Sequence, residues 1–222
     1  MTNKNDKLKK CLEKNVSRIK KTAAKREDKH LMPDFDTFRL SQMLVGMNTE
    51  FNEVLHEVDK ISEFARNSEV FDNKTKRNEV IAIKFGEIFM IEVGDVFWYI
   101  INALEFLELT SPLAVIEASL EDDKVYYPEE YMELRDKTLD KTKKYLFQSH
   151  ELELYKSDFM TFIAATIKVL NGLIDELNDF YKEVHIDKVF DIADAIELVA
   201  DKLEKRYDNK EFDPRRSMDR TE

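Results

Sequence analysis

Residues 80 to 109 read VIAIKFGEIFMIEVGDVFWYIINALEFLEL, and this stretch decides the fold class. It is longer than any ordinary strand, carries no proline, and is apolar over much of its circumference, so it is predicted as a buried helix of about Val80 to Leu109. A helix this apolar needs other helices around it. Upstream, Leu40, Leu44, Met47, Val54, Leu55, Val58 and Ile61 repeat with helical spacing and predict a partner over about Phe38 to Phe64. Downstream, Ser111-Pro112 is a cap followed by proline at the first helical position. Helices are further predicted over about Glu129 to Gln148 and Ser157 to Val184, with a last one from near Asp187, as its cap, to Arg206. Four Gly and four Pro in 222 residues leave few turn signals, which fits an all-α helical bundle.

Composition narrows the function classes. The single cysteine, Cys11, excludes an intrachain disulfide framework or a cysteine-built zinc site and points to a reducing cytoplasm. No run of about 18 apolar residues and no secretory leader are read in the chain, so no membrane partner is expected. The net charge of −11 disfavours nucleic acid, whose phosphates attract the opposite sign. That charge is uneven: residues 1–32 hold eleven Lys or Arg against four acids, net +7, so the remainder carries −18. Residues 1–32 are therefore read as a basic, weakly amphipathic extension with Leu12, Val16 and Ile19 as a thin apolar stripe. Its expected roles are a solvated helix or a docking segment. The body begins at 33, after the helix-breaking Pro33.

The chemistry-bearing residues are carboxylates. Glu50, Glu53 and Glu57 follow i, i+3, i+7 spacing and fall within a ~60° arc of one helix, beside the apolar stripe. Glu92 and Asp95 project from a face that also holds Phe85, Ile88, Phe89, Val96, Tyr99 and Ala103. Ionised carboxylates on such a face are costly unless paired or metal-bound. A divalent cation shared between the two helices resolves this, and an all-oxygen donor set favours Mg²⁺, with Mn²⁺ as a substitute. Glu53-Val54-Leu55-His56 also matches the Glu-x-x-His element of di-iron bundles, a match read as accidental, with His56 as a surface or edge residue. Glu176 and Asp179 repeat the E-x-x-D spacing in a more polar setting and are read as a solvated face.

GMNTEFNEVLHEVDK (46–60), IEVGDVFWYIINAL (91–104) and DKLEKRYDNKEFDPRRSMDR (201–220) together resemble the MazG-like all-α NTP pyrophosphohydrolases, a group that includes phosphoribosyl-ATP pyrophosphohydrolases and dimeric dUTPases. The resemblance implies a four-helix core with a helical insertion at about 111–195, and a metal set of Glu50, Glu53, Glu92 and Asp95. It implies cleavage of a (d)NTP to the monophosphate and pyrophosphate. Substrate phosphates would meet Lys202, Lys205, Arg206, Arg216 and Arg220, with Tyr207 near the base. Asp201 stands where many relatives carry Asn. Glu53 or Glu57 would orient or deprotonate the attacking water. A homodimer or homotetramer is implied as well. The competing expectations are a helical nucleotide-binding or protein-interaction module without turnover, and a purely structural bundle.

Overall fold

The computed structural model describes residues 2–21, 35–66, 76–107, 111–149 and 151–206, and every regular element among them is helical. In chain order these are α1 (Thr2–Lys21), α2 (Phe35–Arg66), α3 (Lys76–Phe106), α4 (Pro112–Glu121), α5 (Pro128–Phe147), α6 (Lys156–Glu183) and α7 (Ile192–Arg206), with a short 3₁₀ turn at Leu152–Leu154. The all-α expectation holds. Ser111 caps α4 as the sequence indicates, its hydroxyl accepting from the Ala114 amide at 3.3 Å ahead of Pro112.

The most extensive packing is between α2 and α3, which run antiparallel; α7 lies against α3, and α5 covers α2. Met47, Phe51 and Val54 of α2 and Phe89, Val93, Val96, Phe97 and Ile100 of α3 are fully or almost fully buried. Burying side chains of this size stabilises by about 1.5–3 kcal/mol each before conformational entropy is set against it. The helices of 111–195 add to the same core: Ile116 of α4, Tyr131 of α5 and Phe159, Phe162 and Ile163 of α6 are all buried. α6 is long and apolar enough by composition to cross a membrane, a feature the sequence reading did not register. In this fold its apolar face packs on α4 and α5, while Thr161, Gly172, Asp175 and Glu176 face solvent.

Two close approaches tighten the bundle. A Cβ on Gly94 would lie 2.5 Å from the backbone oxygen of Ala195, so α3 and α7 touch where no side chain intervenes. A Cβ on Gly86 would lie 1.9 Å from the Tyr181 hydroxyl, which donates to the carbonyl of Ala82 at 2.9 Å.

The last helix begins later than the expected Asp187. His185 takes a left-handed conformation (φ 60°), and the Ile186 amide reaches back to the Tyr181 carbonyl at 2.8 Å, which closes α6. Asn178 then holds the connector by both its amide atoms, donating to the Phe190 carbonyl and accepting from the Phe190 amide, each at 2.9 Å. The residue that caps α7 is Asp191. It exchanges backbone-to-carboxylate bonds with Asp194 at 2.9 and 3.1 Å, a reciprocal capping box.

The described part of the basic extension, α1, docks within the chain. Leu8, Leu12 and Ile19 of α1 are buried, the latter two completely, and the Cys11 thiol donates to the Ala193 carbonyl at 3.0 Å. Lys7 bridges Asp191 and Asp194 at 2.8 Å each, Lys14 meets Glu197 at 2.6 Å, and Arg18 meets Asp201 at 2.7 Å and Glu204 at 2.5 Å. Three of its cations are thus matched to acidic residues on α7 and its cap. Water and salt screen exposed pairs of this kind, so the apolar stripe supplies most of the docking energy.

Candidate functional site

The site is built on the register of α2 against α3. Gly46 fits under the Tyr99 ring, where a Cβ would come within 2.1 Å of a ring carbon. One turn further along α2 is Glu50, and one turn back along α3 is Asp95. Successive turns of antiparallel helices must meet in this order, so Glu50 faces Asp95, and Glu92 comes in from the next turn of α3. One carboxylate oxygen from each of Glu50, Glu92 and Asp95 lies within 4.8 Å of the others, and all three side chains are partly buried.

The remaining carboxylates of the α2 ridge separate. Measured around the helix, Met47, Phe51 and Val54 point into the core, Glu50 and Glu57 lie to one side of that direction, and Glu53 lies further round on the same side, about 130° from it. Glu53 is accordingly exposed and stands outside the three-carboxylate cluster. Glu57 is only 6% exposed; its Oε1 accepts from Lys60 at 2.6 Å, while its buried Oε2 has no hydrogen-bond partner.

The electrostatics at Glu92 report the crowding. Burial, then the neighbouring charge of Asp95, holds its carboxyl above the ordinary glutamate value, with smaller contributions from Glu53 and Glu57; Lys202 acts in the opposite sense. Lys202 reaches across from α7 and its ammonium donates to Asp95 Oδ2. Three oxygen donors of like charge, drawn together in a half-buried setting, fit a hard divalent cation, whose charge removes the repulsion they otherwise suffer.

Of the cationic residues named from the sequence, the described side chains are Lys202 and Lys205, and Lys202 is joined to the cluster. Lys205 is exposed one turn on, while the side chain of Arg206 and all of Tyr207, Arg216 and Arg220 lie outside the described residues. His56 is exposed, as are Glu176 and Asp179, which matches their reading as surface positions.

A cavity of about 540 Å³ opens one helical turn from the cluster, between α2, α3 and α5. Phe38, Met43, Trp98, Tyr99, Leu139 and Phe147 line it, with Arg39 and Lys143 at its polar margin. Trp98 and Tyr99 meet edge to face with ring centroids 4.7 Å apart. Sequence reasoning missed this pocket. Trp98 and Tyr99 directly follow the E-x-x-D motif and were legible there, but α5 supplies the opposite wall from forty residues further along the chain.

Comparison with protein-family models, with curated proteins and with solved structures finds no match for the chain.

Proposed function

We propose that the chain is a Mg²⁺-dependent nucleoside triphosphate pyrophosphohydrolase of the MazG-like kind, cleaving a (d)NTP to the (d)NMP and pyrophosphate, with Mn²⁺ able to replace Mg²⁺. The observation that carries this reading is the convergence of Glu50, Glu92 and Asp95 from two antiparallel helices to oxygens within 4.8 Å. These residues would hold the cation, whose chemistry is to neutralise charge on the triphosphate and make bound water more acidic. Glu53 remains exposed beside the cluster with its carboxylate uncommitted to it, which suits a group that accepts a proton from water. Lys202 and Lys205 supply positive charge on the side where α7 meets α3. The aromatic cavity one turn away has the size and flat apolar walls that a nucleoside needs.

The test is pyrophosphate release from a panel of canonical and modified (d)NTPs with Mg²⁺ or Mn²⁺, for the wild type and for Glu92→Gln and Glu53→Gln. Glu92→Gln is expected to abolish both cation binding and turnover. Glu53→Gln is expected to keep cation binding and lose turnover by about 10²-fold or more. The second reading, a nucleotide-binding module without turnover, is favoured by the internal neutralisation of Asp95 by Lys202. Nucleotide binding without pyrophosphate release from any substrate and with either cation would establish that module instead.

A further inference from the structure

Asp95 serves two positive partners. It is one of the three carboxylates whose oxygens converge, and its Oδ2 also accepts from the Lys202 ammonium. The Asp95 side chain is 19% exposed and that of Lys202 40% exposed, so the carboxylate is the fixed member of the pair and the lysine head has open solvent beside it. We propose that Lys202 is a displaceable internal counter-ion, which competes with the divalent cation for Asp95 and is released to solvent when the cation binds. This rests on the reading of Glu50, Glu92 and Asp95 as the cation site.

Three features support the exchange. A lysine ammonium is a compact charge on four flexible methylenes, so it can leave Asp95 without any backbone movement. The backbone that carries it is pinned: Arg18 of α1 binds Asp201 and Glu204, the residues on either side of the 202–203 pair, and Gly94 seats α3 directly on Ala195. Release is therefore confined to the side chain. Finally, a monovalent ammonium and a divalent ion cannot both sit on one partly buried carboxylate without mutual repulsion in a medium of reduced dielectric. The ion brings two charges and can meet an oxygen of all three carboxylates, whereas Lys202 brings one charge and hydrogen-bonds Asp95.

The consequence is that Lys202 weakens cation binding. In this respect it differs from a structural cation, whose removal would leave the carboxylates splayed and lower the affinity. Titration of the wild type, Lys202→Met and Lys202→Gln with Mn²⁺, read by the spin-resonance signal of the free ion, tests this directly. Both substitutions are expected to tighten Mn²⁺ binding by about three- to fivefold, the range set by the coupling of a partly exposed pair. In the unaltered protein, amine labelling followed by mass spectrometry is expected to show Lys202 becoming more reactive as Mg²⁺ is added, while Lys205, exposed one turn away, stays constant. This second measurement decides the matter should neither variant fold. Equal or weaker Mn²⁺ binding in well-folded variants, or Lys202 labelling that is flat or falling at saturating Mg²⁺, would overturn the exchange and leave the cation site standing. Absence of any Mn²⁺ binding by the wild type would overturn both.

Discussion

Replacing Glu92 with glutamine should make the cation-free protein more stable while it removes the ability to bind the ion. The carboxylate oxygens of Glu50, Glu92 and Asp95 approach within 4.8 Å. At an effective dielectric of ~20, two unit charges at such a distance repel by about 3.5 kcal/mol. Lys202 offsets part of that at Asp95, and the half-exposed setting of Glu92 lets water screen much of the rest, so the net gain on removing one charge is about 1 kcal/mol. For a chain of 222 residues, with an unfolding entropy of ~2.1 cal/mol/K per residue, that corresponds to a rise in Tm of about 2 °C. Burial and Asp95 raise the Glu92 carboxyl above its ordinary value of 4.5, so keeping it ionised in the folded chain costs stability. That cost is complete above the raised folded-state value and disappears below 4.5, where folded and unfolded chains are both protonated. The advantage of Glu92→Gln should therefore shrink to nothing as pH falls through this window. Scanning calorimetry in a chelator at several pH values, repeated with excess Mg²⁺, measures both effects. A variant less stable than wild type at pH 7 in chelator, or one with an undiminished Mg²⁺-induced rise in Tm, would refute the reasoning.

Further outcomes follow from the packing. Leu12→Ala empties a fully buried site between α1 and the body and is expected to cost about 2–4 kcal/mol by denaturant unfolding, whereas a loosely attached arm would show almost no change. Gly94→Ala forces a methyl group onto the Ala195 carbonyl and should cost about 1–3 kcal/mol, and by parting α3 from α7 it should also break the Lys202 pairing with Asp95, visible as increased labelling of Lys202 without added cation. Gly172→Ala is the contrasting case: nothing lies within 4 Å of the added carbon in the middle of α6, so the variant should gain about 0.5–1 kcal/mol from helix propensity in the same unfolding assay. Raising ionic strength should weaken the Lys7, Lys14 and Arg18 pairs but leave α1 docked, detected as retained protection of its amides in hydrogen exchange.

Periodicity alone determined that the chain is helical, where its long helices lie, and that Glu50, Glu92 and Asp95 border an apolar face, because an α-helix maps sequence spacing directly onto direction. The same mapping sets Glu53 apart from Glu50 once the core direction is known, and that direction is a property of packing: Met47, Phe51 and Val54 define it only when α3 is in place. The start of α7 depended on Asn178 gripping Phe190, a contact between residues twelve apart that no local cap preference encodes. The basic character of residues 1–32 was plain in the sequence, but its partner was not, since the acidic residues that receive Lys7, Lys14 and Arg18 lie more than 180 positions away. The same holds for Lys202 on Asp95 and for the aromatic cavity closed by α5. Direction around one helix is written in short-range spacing, whereas which faces meet, and which charges they bring together, is settled by how the whole set of apolar stripes can be buried at once.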